Sequence, residues 1–284
     1  MRRYQYSKLR KSLLYHIGAL IISLIMIYPL IWIVMSSFKA NNEIFLTATS
    51  LVPRTWDVVH NYVNGWAGIA GVGFYVFILN SILVSSVATV GGLFSSTVAA
   101  FAFARLKFRG SKIWFACVMG TMFIPPQVMV VPQYIIFKRL NLIDNRFVMV
   151  IPWLFGGAFF IFLIMQFFRG IPIEMDEAAE IDGCNKLQTL FVILLPNITP
   201  ALITGAIFSF YWSWQDFFTP LLFMNTMKKF PVSLGLKLFL DPESASEYGS
   251  MLAMSTVSLV PVLLIFILFQ RYLVEGTTMT GIKS

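Results

Sequence analysis

Six apolar stretches without a Lys, Arg, Asp or Glu constrain this chain more than anything else in it: residues 12–38, 73–104, 113–137, 147–168, 187–215 and 248–270. A charge at mid-bilayer is expensive, and about 20 apolar residues suffice for one helical crossing, so each stretch is long enough to span. Of the 284 residues, 58% are hydrophobic and 12% are charged. A soluble domain carries about 25% charged residues and could not bury this much apolar surface. The expected fold class is therefore all-α integral membrane, with about six transmembrane helices. The runs 73–104 and 187–215 exceed one span, which predicts interfacial turns within them.

The net charge of +8 sits in short segments between the apolar runs. That placement suits lipid headgroups and topology control, so a lipid bilayer and not a nucleic acid is the expected partner. Arg2, Arg3, Lys8, Arg10 and Lys11 precede the first run. This run is too long for a signal-peptide core, and no small-x-small cleavage site follows, so it reads as an uncleaved first helix. With the N-terminus cytoplasmic, thirteen of the 21 Lys and Arg residues fall inside and eight outside, the direction the positive-inside rule requires. Both termini are then cytoplasmic. The expected division is a tail over 1–11, a first transmembrane helix over 12–38 and an external loop over 39–72. A five-helix core over 73–272, with a cytoplasmic loop at 171–195, and a tail over 273–284 complete it.

Cys117 and Cys184 imply no pairing, and His16 and His60 lie far apart, so no metal site is expected. Pro125, Pro126 and Pro132 punctuate the third run, and Pro196 and Pro200 the fifth. Such prolines mark kinks or ends whose freed carbonyls need other partners. Residues 91–104 are rich in Gly, Ser, Thr and Ala, which lets helices approach closely.

The loop at 171–195 differs from the rest. Pro172 suits a first helical position, and Glu174, Asp176 and Glu177 fall in the early turns, where carboxylates favour the helix dipole. Met175, Ala178 and Ala179 form a small apolar face, and Gly183 suits a C′ position. Leu187, Leu190, Phe191 and Leu194 follow at helical spacing, and Pro196 begins the next membrane helix. A compact acidic helix with an alanine face is shaped either to dock in another protein's groove or to lie as an ordinary solvated loop.

The spacing of Glu177, Ala178, Ala179, Gly183, Ile193, Leu195 and Pro196 resembles the EAA signature of ATP-binding-cassette importer permeases, without departure. Further stretches are similar to the maltose-type (MalG-like) carbohydrate branch of that family: Ser36 to Lys39, Trp56, Asn61-Tyr62, Ala104 to Gly110, and Ile124-Pro125 with Gln127, Pro132 and Tyr134. Ser209-Phe210, Trp212, Trp214 and Asp216-Phe217 continue the likeness, although Gln215 stands where an Asn often precedes the Asp. The ending Gln270-Arg271-Tyr272, Val274, Gly276, Thr278, Gly281 and Lys283 extends it. The resemblance implies a type I ABC importer permease fold in the bacterial cytoplasmic (inner) membrane. It implies that the loop is a coupling element: Glu177 pairs with a basic residue of an ATPase, Ala178 and Ala179 seat against its surface, and Gly183 makes the turn. It also implies alternating access, a second homologous permease subunit, an ATPase dimer, and an extracytoplasmic solute-binding protein reached by residues 134–145.

No ATP site is expected in the chain itself. Gly276 and Gly281 have the separation of a Walker A loop, but Ile282 intervenes before Lys283 and Ser284. The expected cofactors, ATP and Mg, therefore belong to the partner ATPase, and no catalytic residue is assigned. Candidate contacts to a carbohydrate substrate are Asn80, Gln127, Trp153, Trp212, Trp214 and Asp216, because aromatic faces suit sugar rings and amides suit hydroxyls. A polyol or glycerol phosphate cargo is the alternative within this class. An ion-coupled secondary transporter would need acidic groups inside spans, and an enzyme would need clustered reactive groups.

Overall fold

A computed structural model describes residues 2–47, 49–240 and 247–278, with side chains described for 12–273 apart from the two gaps. Gly281, Lys283 and Ser284 lie outside the described residues. In chain order the helices are α1 (Arg2–Ser36), α2 (Glu43–Leu46), α3 (Val58–Ala67), α4 (Phe74–Arg105), α5 (Ser111–Gly120), α6 (Pro126–Arg139), α7 (Phe147–Leu154), α8 (Ala158–Gly170) and α9 (Glu174–Ile181). There follow α10 (Lys186–Gln188), a π-helical turn (Thr189–Leu194), α11 (Leu195–Asn197), α12 (Thr199–Trp214), α13 (Phe218–Phe223), α14 (Val232–Lys237) and α15 (Tyr248–Thr278). Among the described residues there is no strand, only two isolated bridges.

Among the described residues four segments are long and apolar enough to cross a membrane: Ser12–Ser36, Phe74–Arg105, Phe147–Gly170 and Tyr248–Leu273. Two bent pairs raise the number to six, Ser111–Phe123 with Pro126–Arg139 at 101° and Lys186–Asn197 with Thr199–Trp214 at 82°. The first bend falls where the prolines put it. Ile124 and Pro125 are extended, since a residue before proline avoids the helical region, and Pro126 opens α6. The second falls at Ile198, so the next long helix begins at Thr199 and not at Pro196.

Three boundaries depart from the sequence reading. α1 is already helical at Arg2, where a tail over 1–11 is expected, and ends at Ser36. α4 runs unbroken through its 32 residues, about 48 Å at the helical rise, with no turn inside the run. The fourth run, read as one helix, is interrupted at Phe155–Gly157, where Gly156 takes φ 80°.

The chain forms two compact units. In the first, Met1–Phe74 with Leu236–Leu259, nearly every described side chain of α1 from Ser12 to Ile31 is exposed, as suits a helix apolar all round. The segment after α1 is tied by buried polar groups. Lys39 is fully buried and its Nζ donates to the carbonyls of Thr47 and Ser50 at 3.2 and 2.6 Å. Asn61 Nδ2 donates to the carbonyls of Ser37 and Lys39 at 2.9 and 2.8 Å.

The second unit is Tyr75–Gly235 with Val260–Ser284. One core gathers the Arg105 end of α4 with α8, the π turn and α12, through Phe101, Ile164, Phe168, Leu190, Leu194 and Ala201. Another gathers the earlier part of α4 with α6, α7 and α13, through Val84, Phe137, Met149 and Phe223.

Candidate coupling loop and aromatic cleft

The loop after α8 is built from local chain chemistry. Ile171 is extended before Pro172, so α9 starts only at Glu174 and Pro172 lies outside it, not at its first position. At the other end Gly183 takes φ 82°, a left-handed conformation that costs a glycine no side-chain clash. The Gly183 and Cys184 N–H groups donate to the carbonyls of Glu180 and Ala179 at 3.1 and 2.9 Å, closing the helix. The next turn is held by a capping box that the sequence reading passed over. Asn185 Oδ1 accepts the Gln188 N–H at 2.9 Å, and Gln188 Oε1 accepts the Asn185 N–H at 2.8 Å. Its Asn-x-x-Gln spacing was the available signal.

This construction divides the signature residues. Glu177 and Ala178 are exposed, whereas Ala179 is buried against its own chain at 3% exposure, so the two alanines do not share a free face. Ile193 and Leu195 are half-buried, and Pro196 is exposed. The carboxylates divide too. Glu174, Glu177 and Glu180 are exposed, but Asp176 turns inward to Arg105, its Oδ2 3.2 Å from Arg105 Nε. The same guanidinium donates from Nη2 to the Ile171 carbonyl at 2.8 Å.

The candidate substrate residues divide as well. Trp153 and Trp212 come together in a cleft of about 470 Å³, lined also by Ile124, Pro126, Gly156 and Phe159, at the breaks between α5 and α6 and between α7 and α8. Trp212 lies 5.2 and 5.5 Å from the rings of Phe159 and Phe160. Gln127 is exposed beside Pro126. The other three are engaged elsewhere. Asn80 Nδ2 donates to the carbonyls of Lys228 and Phe230, both at 2.9 Å. Trp214 is buried and stacks on Phe210. Asp216 Oδ1 accepts the Thr219 N–H at 3.1 Å at the start of α13.

The break beside the cleft frees polar backbone inside an apolar candidate span, and α4 supplies its partners. Ser95 Oγ donates to the Leu154 carbonyl, and Ser96 Oγ accepts the Gly157 N–H at 3.1 Å. A Cβ on Gly91 would meet the Leu154 side chain at 2.2 Å, so the small residues of 91–104 serve the close approach read from the sequence. Beyond the cleft, Asp144 joins the loop before α7 to the segment after α13, accepting from the Asn225 and Thr226 N–H groups, Thr226 Oγ1 and Lys229 Nζ. Burial pushes this carboxyl up, but those bonds outweigh it and hold it well below the usual carboxylate range.

Comparison with known proteins places the chain. Residues 91–278 match the family described as "Binding-protein-dependent transport system inner membrane component". The chain is 33% identical over 258 residues to the probable ABC transporter permease protein YurM of Bacillus subtilis, covering 90% of this chain and 84% of that one. It is 30% identical to the arabinooligosaccharides transport system permease protein AraQ of Halalkalibacterium halodurans, covering 96% and 97%. It is 28% identical to the trehalose/maltose transport system permease protein MalG of Thermococcus litoralis, covering 96% and 98%. A crystal structure of a bacterial ABC transporter involved in the import of alginate contains a chain of the same fold, with a TM-score of 0.77 at 23% identity, covering 92% and 95%. The chain therefore belongs to the family of binding-protein-dependent transport system inner membrane components, the multi-pass permeases of ABC importers.

Proposed function

We propose that this chain forms part of the pathway of an importer for oligosaccharides or other carbohydrates in a bacterial cytoplasmic membrane, and that a separate ATPase dimer drives it through the loop around Glu177. The observation that carries the cargo is the near full-length similarity to permeases named for arabinooligosaccharides and for trehalose and maltose. The cleft beside Trp153 and Trp212 supports it: flat aromatic faces at a break in the spans suit the apolar faces of sugar rings.

ATP and Mg bind the ATPase, whose closure displaces the docked loop. The exposed Glu177 offers a carboxylate to a basic residue there, Ala178 permits close approach, and the Gly183 turn fixes the angle of the helix. Displacement shifts the permease between inward- and outward-facing states, by as much as the ATPase favours one over the other. A second homologous permease completes the pathway, and a solute-binding protein delivers cargo to the external side, including residues 134–145.

The test is co-purification and ATP hydrolysis with co-expressed ATPase and second permease. Wild type is expected to retain the ATPase and import labelled oligosaccharide. Glu177→Arg and Gly183→Asp are expected to lose ATPase retention or coupled hydrolysis. Wild type that expresses well without retaining an ATPase, together with mutants that import normally, would remove this reading.

A further inference from the structure

Of the acidic residues in and next to α9, Asp176 alone is turned away from the free face. Its side chain is 13% exposed and that of Arg105 7%. Arg105 Nε and Asp176 Oδ2 are buried without a hydrogen-bond partner among the described residues and face each other as an ion pair at 3.2 Å, so each charge lies against the opposite one. A buried charge left without its partner is strongly unfavourable, so the two groups are bound to stay together. The placement of Arg105 gives this pair a mechanical meaning. Arg105 is the last residue of α4, the unbroken helix whose Ser95 and Ser96 hold the backbone of the break beside the aromatic cleft. Its guanidinium also grips the Ile171 carbonyl, where α8 ends. One side chain thus ties the end of α4, the end of α8 and the first turn of α9, above a packed core that includes Phe101, Ile164 and Leu190.

We propose that the Arg105–Asp176 pair is the joint that makes α9 and α4 move as one body, carrying displacement of the loop to the cleft. This rests on the coupling reading above and assigns the joint within it: Glu177 faces the ATPase, and Asp176 faces the membrane domain. Both are positioning residues and touch no reacting atom.

The joint is tested with spin labels in the complex captured on a tagged ATPase. Cys117 and Cys184 are replaced by Ser, and labels are placed at Leu106→Cys and Ile181→Cys, which are exposed positions on either side of the pair. A second pair, Phe123→Cys with Ile181→Cys, reports movement of the loop against the membrane domain. With ATP, Mg and vanadate, the 123–181 distance is expected to shift while the 106–181 distribution keeps its apo position. Arg105→Lys keeps the charge but cannot hold Asp176 and Ile171 in the same fork, and Asp176→Asn keeps the shape without the charge. In both variants the ATPase is expected to co-purify, the 106–181 distance to broaden and follow nucleotide, and ATP consumed per oligosaccharide imported to rise about tenfold. A 106–181 distance that shifts in wild type, or variants that keep both the wild-type distribution and the wild-type ATP ratio, would overturn the joint. Failure of the coupling reading shows separately, as a Glu177→Arg variant that keeps both ATPase retention and coupled hydrolysis.

Discussion

Single residues here do their work through the partners they reach, and Asp144 shows how far that departs from residue type. It takes φ 61°, a left-handed value that Asp and Asn tolerate better than most side chains. Its carboxylate gathers two backbone N–H groups, a hydroxyl and an ammonium from residues about eighty positions away. Asp144→Asn keeps the backbone preference and removes the charge, so it isolates the bonds to the carboxylate. The expected loss is about 1.5–3 kcal/mol, the range for a hydrogen bond to a charged group, read as a lower unfolding temperature of the purified protein. The sign with pH follows from the depressed folded value. The carboxylate stabilises the fold above the unfolded value of about 3.9, and that advantage fades as pH falls through the lower folded value. The gap between wild type and Asp144→Asn should therefore be constant between about pH 8 and pH 5 and narrow only in stronger acid. A gap that closes near neutrality would assign the stability to another group. Asn80 makes the converse point. Its type and depth suggested a sugar contact, but its amide is spent on two backbone carbonyls about 150 positions along the chain. Nothing local in the sequence carries such a pairing.

Helices were legible to the extent that their ends are written in local chemistry. Pro125 and Pro126 locate the 101° bend, and Gly183 locates the end of α9, because ring geometry and a positive φ act within a few residues. The break at Phe155–Gly157 has a local signal that the reading of one helix left unused, the pair Gly156-Gly157 shortly after Pro152. What no local signal carries is how its backbone is satisfied, by Ser95 and Ser96 some sixty residues earlier. The same separation hid the Arg105–Asp176 pair, whose members are 71 positions apart. The break can be tested at Gly156. A Cβ there would sit 3.2 Å from Ser96 Oγ and 3.3 Å from Ser96 N, on a backbone at φ 80°. Gly156→Ala is expected to cost about 1–3 kcal/mol in backbone strain, read as thermal stability. It should lower import while leaving ATPase retention intact, because the loop around Glu177 is untouched. Loss of ATPase retention in this variant would mean that the break and the loop are not separable elements.

For the whole molecule, the coupling reading requires one orientation, because a loop docked on an ATPase must be cytoplasmic. That orientation rests on charge in the connecting segments, where thirteen Lys and Arg are expected inside and eight outside. Five of the thirteen are Arg2, Arg3, Lys8, Arg10 and Lys11. Replacing all five with Gln leaves eight on each side, so the bias that sets the topology vanishes while every apolar run and every residue of the loop stays the same. Ile181 is 86% exposed and is a suitable reporter. With Cys117 and Cys184 replaced by Ser, Ile181→Cys should react with an impermeant maleimide in inside-out vesicles and stay protected in right-side-out ones. With the five charges removed, labelling should be split between the two preparations and ATP-driven import should fall in proportion to the inverted fraction. Labelling of the otherwise wild-type chain from the outside would place Glu177 and Ala178 beyond the reach of a cytoplasmic ATPase. The coupling mechanism would then fail at the level of topology, whatever the local geometry of the loop.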